Sequence, residues 1–241
     1  MEQLFKDGYI ILPSLISQLT CDKLKQHLET KDSDDLPFNY YQGHNILYLP
    51  NDSENFPKEI VFNKEIHDII KQVFGSSYYM YSYNCNANKS KQDQPYHMDC
   101  NHFHPLEAIK KFGSPGPPIQ LIVNTYLQDT NEENGSLEVI PGSHLFTDLE
   151  LGEDGEIDEK YLRDKKMVRL NLPKGSVIIR DKRLWHRGTK NETNKVRYMT
   201  GTSYSQNWYK LGKIEFKEDC MELLMDAPFD TWNLYSSPVI W

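Results

Sequence analysis

The chain has 241 residues, a formal net charge of −8, 38% apolar residues and fifteen tyrosines. That length suits one domain, since β-barrels and sandwiches reach this size as single units, and the apolar share supports a packed core rather than a disordered chain. No run of basic residues argues for a nucleic-acid partner, and apolar runs such as Tyr9 to Leu12 and Leu121 to Val123 are far too short to cross a bilayer.

Met1 to Gly8 lacks a basic segment followed by a long apolar one, so no secretory leader and no membrane partner are expected. Cys21, Cys85, Cys100 and Cys220 lack CxxC spacing, which fits reduced thiols in a cytoplasmic compartment better than a disulfide framework. Tyr9 to Leu12 reads as a short strand stopped by Pro13. Ser17 or Thr20 then caps a helix with Leu24 and Leu28 one turn apart. Residues 30 to 58 are polar and loop-like, with one strand at Asn45 to Leu49. A clearer helix is capped by Asn63, carries Ile66, Ile69, Ile70, Val73 and Phe74 at helical spacing, and ends at Gly75.

Tyr78 to Asn84 reads as a strand. Residues 105 to 118 form a surface excursion, and Ile119 to Leu127 a long strand. Ser136 to Ile140 is a short strand before the turn Pro141-Gly142-Ser143, and residues 147 to 166 a solvated loop. Met167 to Leu172, Ser176 to Arg180 and Val196 to Tyr204 are further strands, and Cys220 to Met225 is a helix. Helices followed by many short strands favour α+β with a dominant antiparallel barrel or sandwich.

The stretch from Tyr96 to His104 holds three histidines and a carboxylate. On extended backbone His97 and Asp99 point to one side, which makes His-x-Asp a good ligand pair on a strand and a poor one on a helix. Two imidazoles and one carboxylate on a single face of Fe(II) leave coordination positions open for an organic acid and O2. The third ligand is expected at His186, at the end of the run from Lys174 through Trp185. A hairpin centred near Asn191-Glu192 would set Arg197 across from His186, within reach of a carboxylate. Its competing role is a surface salt bridge with Glu192. His102 and His104 have the same same-face spacing and are read as lining the entrance. Lys89, Lys91, Lys110 and Lys111 are read as solvated surface.

These pieces resemble the phytanoyl-CoA dioxygenase family of Fe(II)/2-oxoglutarate-dependent oxygenases. The likeness rests on Phe5-Lys6-Asp7-Gly8-Tyr9, His97-x-Asp99, Asn134-Gly135-Ser136 through Pro141-Gly142-Ser143-His144, Lys174-Gly175-Ser176, His186 and Arg197. It implies a double-stranded β-helix, a jelly-roll or cupin-like barrel with flanking N-terminal helices. It implies one domain over 1–241, with a helical part to about 75, a barrel over about 76–210 and an extension over 211–241. It further implies iron held by His97, Asp99 and His186, with 2-oxoglutarate held by iron and by Arg197. Asn124 falls where relatives carry a tryptophan beside the co-substrate, Asn84 where another pocket residue sits, and His144 closes a turn. Halogenating relatives lack the carboxylate that Asp99 supplies, so the expected reaction is hydroxylation of a small molecule with O2, releasing succinate and CO2. Two other readings stay open: a cupin-like metal enzyme using His97, His102 and His104 without 2-oxoglutarate, and a non-catalytic barrel-fold binding module.

Overall fold

Two helices start where short polar side chains take up backbone N–H groups that a helix cannot satisfy itself. In the computed structural model, which describes residues 1–31, 39–40, 43–100, 111, 115–146, 159–162, 164–211, 214–230 and 234–235, Ser17 accepts from the Thr20 N–H and opens α2, Gln18–Glu29, after the short α1, Glu2–Asp7. The short α3 spans Lys58–Val61, beginning at the last residue of the stretch expected to be loop. Asn63 accepts from the Glu65 and Ile66 N–H groups and opens α4, Lys64–Phe74, which ends at Gly75. One face of each long helix is apolar, with Cys21, Leu24 and Leu28 buried on α2 and Ile66, Ile69 and Ile70 on α4.

Those faces cover a large antiparallel sheet. Its strands are β1 (Tyr9–Leu12), β2 (Asn39–Tyr40), β3 (His44–Tyr48), β4 (Tyr78–Asn88), β5 (Gln120–Thr125), β8 (Val177–Asp181) and β10 (Arg197–Gln206), in the order β1-β8-β5-β10-β4-β3-β2. A second antiparallel sheet orders β7 (Val168–Leu170), β6 (Leu137–Val139) and β9 (His186–Gly188) as β7-β6-β9. The outer core packs Leu24, Leu28, Ile66 and Ile70 against Leu47, Cys85, Val123 and Ile179 of the large sheet. The inner core joins the two sheets, with Tyr9, Tyr126, Ile178 and Met199 meeting Leu137, Val139 and Leu170. The architecture is therefore mainly β, with helices on one side of the large sheet and the small sheet on the other.

Most expected strands appear with ends displaced by one or two residues. The strand after Tyr78 runs on to Asn88, because Asn84, Asn86 and Asn88 alternate with the buried Tyr83, Cys85 and Ala87. The hairpin expected to face His186 with Arg197 does not form. Strand β9 pairs with β6, whereas β10 pairs with β4 and β5, so Arg197 lies opposite Asn88. The polar turn between them is a tethered crossover: Thr189 donates to the Ser136 carbonyl, and the Asn191 amide donates to the carbonyls of Asn88 and Lys195. His102, His104 and much of the 105–118 and 147–166 stretches lie outside the described residues. None of the four cysteines is in a disulfide, and all are buried. No helix among the described residues is long and apolar enough to cross a membrane.

Helix α4 carries a buried titratable group. His67 is 1% exposed, donates from Nε2 to the Val61 carbonyl at 2.7 Å, and sets Nδ1 2.8 Å from the Tyr78 hydroxyl. Burial pulls its imidazole down to about 4. A depressed folded-state value means that the neutral ring's stability is fully present above the unfolded value near 6.5 and is lost as pH falls toward 4. Denaturant titrations over that window should show His67 accounting for a loss on the order of 3 kcal/mol. His67→Gln should flatten the slope but keep the share from His44, which burial also pulls down to about 4. An unaltered slope in the variant would assign the proton uptake elsewhere.

Candidate metal centre

His97 and His186 are brought together by backbone pairing across opposite ends of the sequence motif set. Each donates its N–H to the other's carbonyl at 3.0 Å, an antiparallel bridge, and the Asp99 N–H donates to the Lys182 carbonyl at 3.0 Å. Cross-strand proximity to His186 thus belongs to His97 rather than to Arg197. The bridge leaves the imidazole centroids 4.4 Å apart. Strand β6, from the stretch ending in Pro141-Gly142-Ser143-His144, pairs with β9 through Val139 and His186.

The ring tautomers follow from the backbone. His97 Nδ1 lies 2.9 Å from the Pro95 carbonyl and His186 Nδ1 lies 2.9 Å from the Leu184 carbonyl. A carbonyl only accepts, so each Nδ1 carries the proton and each Nε2 keeps its lone pair, the form that binds a metal. Asp99 Oδ1 stands 3.9 Å from His97 Nε2 and 3.7 Å from His186 Nε2. With metal–ligand bonds of about 2.1 Å, two ligands of one ion lie at most about 4.2 Å apart, so the carboxylate stands within that span of each imidazole. Among the described residues this is the set of metal-capable groups that converges, its three donors all within 4.8 Å of one another.

The other carboxylate oxygen is already committed. Arg180, 3% exposed on β8, donates from Nη2 to Asp99 Oδ2 at 2.6 Å. Its Nε donates to Asn124 Oδ1 at 3.2 Å, and Asn124 Nδ2 donates to the Thr200 carbonyl. Burial alone would raise the Asp99 carboxyl, but Arg180 first, then His186, Lys182 and His97, hold it well below the usual carboxylate range. Burial, reinforced by Arg180, keeps the His186 imidazole well below its ordinary value and therefore neutral. Asn124 is thus a bracket for Arg180, buried beside the centre. Asn84 lies near it across Gly201, where an added Cβ would meet Asn84 Oδ1 at 2.8 Å and Asn124 Nδ2 at 3.7 Å.

Arg197 is 2% exposed, which rules out the surface bridge with Glu192; that acid pairs with Lys190 instead. Its Nε donates to the Gly135 carbonyl at 3.2 Å, and its Nη1 is buried without a partner. Gly135 allows this approach at a φ of +80°, where a Cβ would strike Asn88 Nδ2 at 2.6 Å and the Thr189 carbonyl at 2.7 Å. The Tyr126 hydroxyl is also buried and unpartnered, and both Arg197 and Arg180 act on it. The phenol therefore sits in the field of both the metal-side and the remote guanidinium. His144 ties its turn to α1, with Nε2 3.1 Å from the Phe5 carbonyl. Lys91 is bound to the carbonyls of Asn191 and Thr193.

Arg180 and Tyr126 escaped the motif reading. The available signal for Arg180 was a lone cation ending the apolar run Val177-Ile178-Ile179, since a buried charge needs a partner. Nothing in the local sequence marks Tyr126 among fifteen tyrosines.

Residues 4–199 match the family model described as phytanoyl-CoA dioxygenase. A curated relative, L-proline trans-4-hydroxylase of Streptomyces griseoviridis, is 25% identical over 144 residues, covering 57% of this chain and 52% of that protein. The structure resembles EctD from S. alaskensis with 2-oxoglutarate and 5-hydroxyectoine, with a TM-score of 0.66 and 20% identity over 88% of this chain and 77% of that one. It also resembles HygX from Streptomyces hygroscopicus with nickel and 2-oxoglutarate bound, with a TM-score of 0.64 and 16% identity over 89% and 90% of the two chains. At these identities the structural likenesses establish the fold. The chain spans between about half and two thirds of the length of the curated relatives it matches.

If the three donors form one site, titration of the purified chain with Mn(II), followed by calorimetry or EPR, should give a single ion per chain. His97→Ala, Asp99→Ala and His186→Ala should each weaken it by roughly 100-fold or more, as expected when one of three ligands is lost. Retained affinity in any two of the variants would move the metal elsewhere.

Proposed function

The chain belongs to the phytanoyl-CoA dioxygenase family, and from that premise we propose that it is an Fe(II)- and 2-oxoglutarate-dependent dioxygenase hydroxylating a C–H bond of a small molecule. The observation that carries this reading is a converging three-donor set together with a buried guanidinium nitrogen that has no partner, linked by Tyr126, whose hydroxyl feels both Arg197 and the Arg180 that holds Asp99. In this reading the two antiparallel sheets form a double-stranded β-helix, and residues 1–241 act as one domain. Bound Fe(II), with 2-oxoglutarate and O2, supplies the oxidising chemistry, in which the co-substrate is decarboxylated to succinate and CO2 and one oxygen atom enters the substrate.

The chain's own residues prepare and confine that chemistry. The Pro95 and Leu184 carbonyls hold the His97 and His186 rings so that only Nε2 is available as a ligand. Arg180 occupies Asp99 Oδ2, which leaves Oδ1 as the carboxylate oxygen that would hold Fe(II) together with the two imidazoles. The Arg180 charge also offsets the carboxylate, so the site favours an anionic co-substrate.

Arg197 takes the distal carboxylate of 2-oxoglutarate. A buried polar group left unpaired costs about 1–3 kcal/mol, and more when charged, so Arg197 Nη1 and the Tyr126 hydroxyl favour a ligand that presents acceptor oxygens. One carboxylate supplies acceptors for both. Burial keeps the guanidinium away from water, where the same ion pair would be weak.

Succinate release from 2-oxoglutarate tests the reading directly. Arg197→Ala should raise the 2-oxoglutarate concentration needed by roughly 30-fold or more, since truncating one side of a buried charge pair costs about 2–5 kcal/mol. Tyr126→Phe should raise it by a smaller factor. An enzyme whose turnover ignores 2-oxoglutarate would overturn the proposal in favour of a different metal chemistry.

A further inference from the structure

The face of the large sheet that looks toward the metal centre is polar where a site for a fatty chain would be apolar. Along β4, Tyr83, Cys85 and Ala87 belong to the outer core, so the alternate positions Ser82, Asn84 and Asn86 face inward. Strand β10 sets Gly201 opposite Asn84 and Ser203 opposite Ser82. Gly201 leaves open the space that a side chain would take from Asn84 and Asn124. The Asn86 amide makes no hydrogen bond among the described residues, and Asn84 Nδ2 has only the Ser82 hydroxyl.

At the end of this row the β4–β10 register shifts between Ser203 and Tyr204, which leaves Tyr81 as the extra residue of a bulge. Bulges re-aim side chains, and here the Tyr81 ring comes under Lys182, whose ammonium lies 5.3 Å from the ring centroid. The Tyr81 hydroxyl is buried beside Ser203 without a well-formed hydrogen bond. Lys182 is anchored by its backbone, which accepts from the Asp99 N–H. Among the described residues no acid forms an ion pair with it: Asp99, whose charge acts on it, is taken by Arg180 at 2.6 Å.

Resting on the iron-dependent reading above, we propose that Lys182 and Tyr81, with the row Ser82, Asn84 and Asn86, form the substrate subsite. The substrate is a small polar molecule carrying an anionic oxygen group, a carboxylate or a phosphate. The ammonium pairs with that anion, the phenol donates to it, and the amides bind the polar body of the molecule. An alkyl chain in the same place would leave the ammonium, the phenol and the amides without partners, at about 1–3 kcal/mol for the buried phenol alone. With a divalent ion bound and Asp99 offset by Arg180, the Lys182 charge is surplus, and the subsite attracts anions.

The test uses the full chain loaded with Mn(II) and saturating 2-oxoglutarate, so that Arg197 is already engaged. Paramagnetic relaxation of 31P in inorganic phosphate and of 13C in labelled acetate then reports anion binding near the metal. The expected result is saturable relaxation of at least one anion, with an apparent Kd raised about tenfold or more in Lys182→Met and largely restored in Lys182→Arg. Tyr81→Phe should raise the Kd a few-fold, and Mn(II) and 2-oxoglutarate affinities should stay within about threefold throughout. Whichever anion binds more tightly identifies the group as phosphate or carboxylate. Equal relaxation in wild type and Lys182→Met, or none with either anion, would overturn the subsite. Failure to bind Mn(II) and 2-oxoglutarate, seen before any anion is added, would instead overturn the iron reading and this inference with it.

Discussion

A buried guanidinium paired with a half-buried carboxylate constrains nearly everything around it. Arg180 and Asp99 lie 2.6 Å apart, with Arg180 almost wholly withdrawn from solvent. Removing Asp99 would strand the Arg180 charge in a low-dielectric interior, at about 3–5 kcal/mol. The pair therefore dictates which carboxylate oxygen is left for a metal, how Asn124 must turn, and why Asn rather than an apolar residue is tolerated on β5. A site designed only to bind an ion would not need the arginine. Its presence shifts the charge balance toward positive and prepares the pocket for anions.

The large sheet reconciles two incompatible demands by alternation. One face packs apolar side chains against α2 and α4, and the other carries amides, hydroxyls and cations toward the centre. Because side chains alternate with a period of two, a single strand such as β4 serves both without compromise. The cost appears as unsatisfied polar atoms: Arg197 Nη1 and the hydroxyls of Tyr81 and Tyr126 lie buried without partners. The Tyr81 hydroxyl feels the Asp99 charge and the Tyr126 hydroxyl both guanidinium groups, so these two lie within electrostatic reach of the candidate centre.

Legibility from the sequence varied with the range of the interaction. Helix caps at Ser17 and Asn63 were readable because a cap bonds only two or three residues ahead. Same-side placement of His97 and Asp99 was readable because it needs only extended backbone. The partner of His186 was not. An antiparallel hairpin to Arg197 was the simplest local solution, yet Thr189 and Asn191 spend their polar groups on Ser136 and Asn88 and carry the chain into the other sheet. His97 takes the position opposite His186 through backbone bonds between residues far apart in the sequence.

What the sequence by itself determined was the family, the starts of the two long helices and most strands, together with a candidate ligand set, all carried by residue type and spacing over a few positions. Only the tertiary structure decided which side chains stand around those ligands. Arg180 meets Asp99 across 81 positions and Asn124 across 56. Lys182 reaches the Tyr81 ring only because β8 and β4 lie on either side of β5 and β10 in one sheet. Contacts at such separations depend on strand order and register, which no local pattern encodes. The stretch His97-x-Asp99 therefore marked a candidate metal pair, while its charge balance and ring tautomers came from folding.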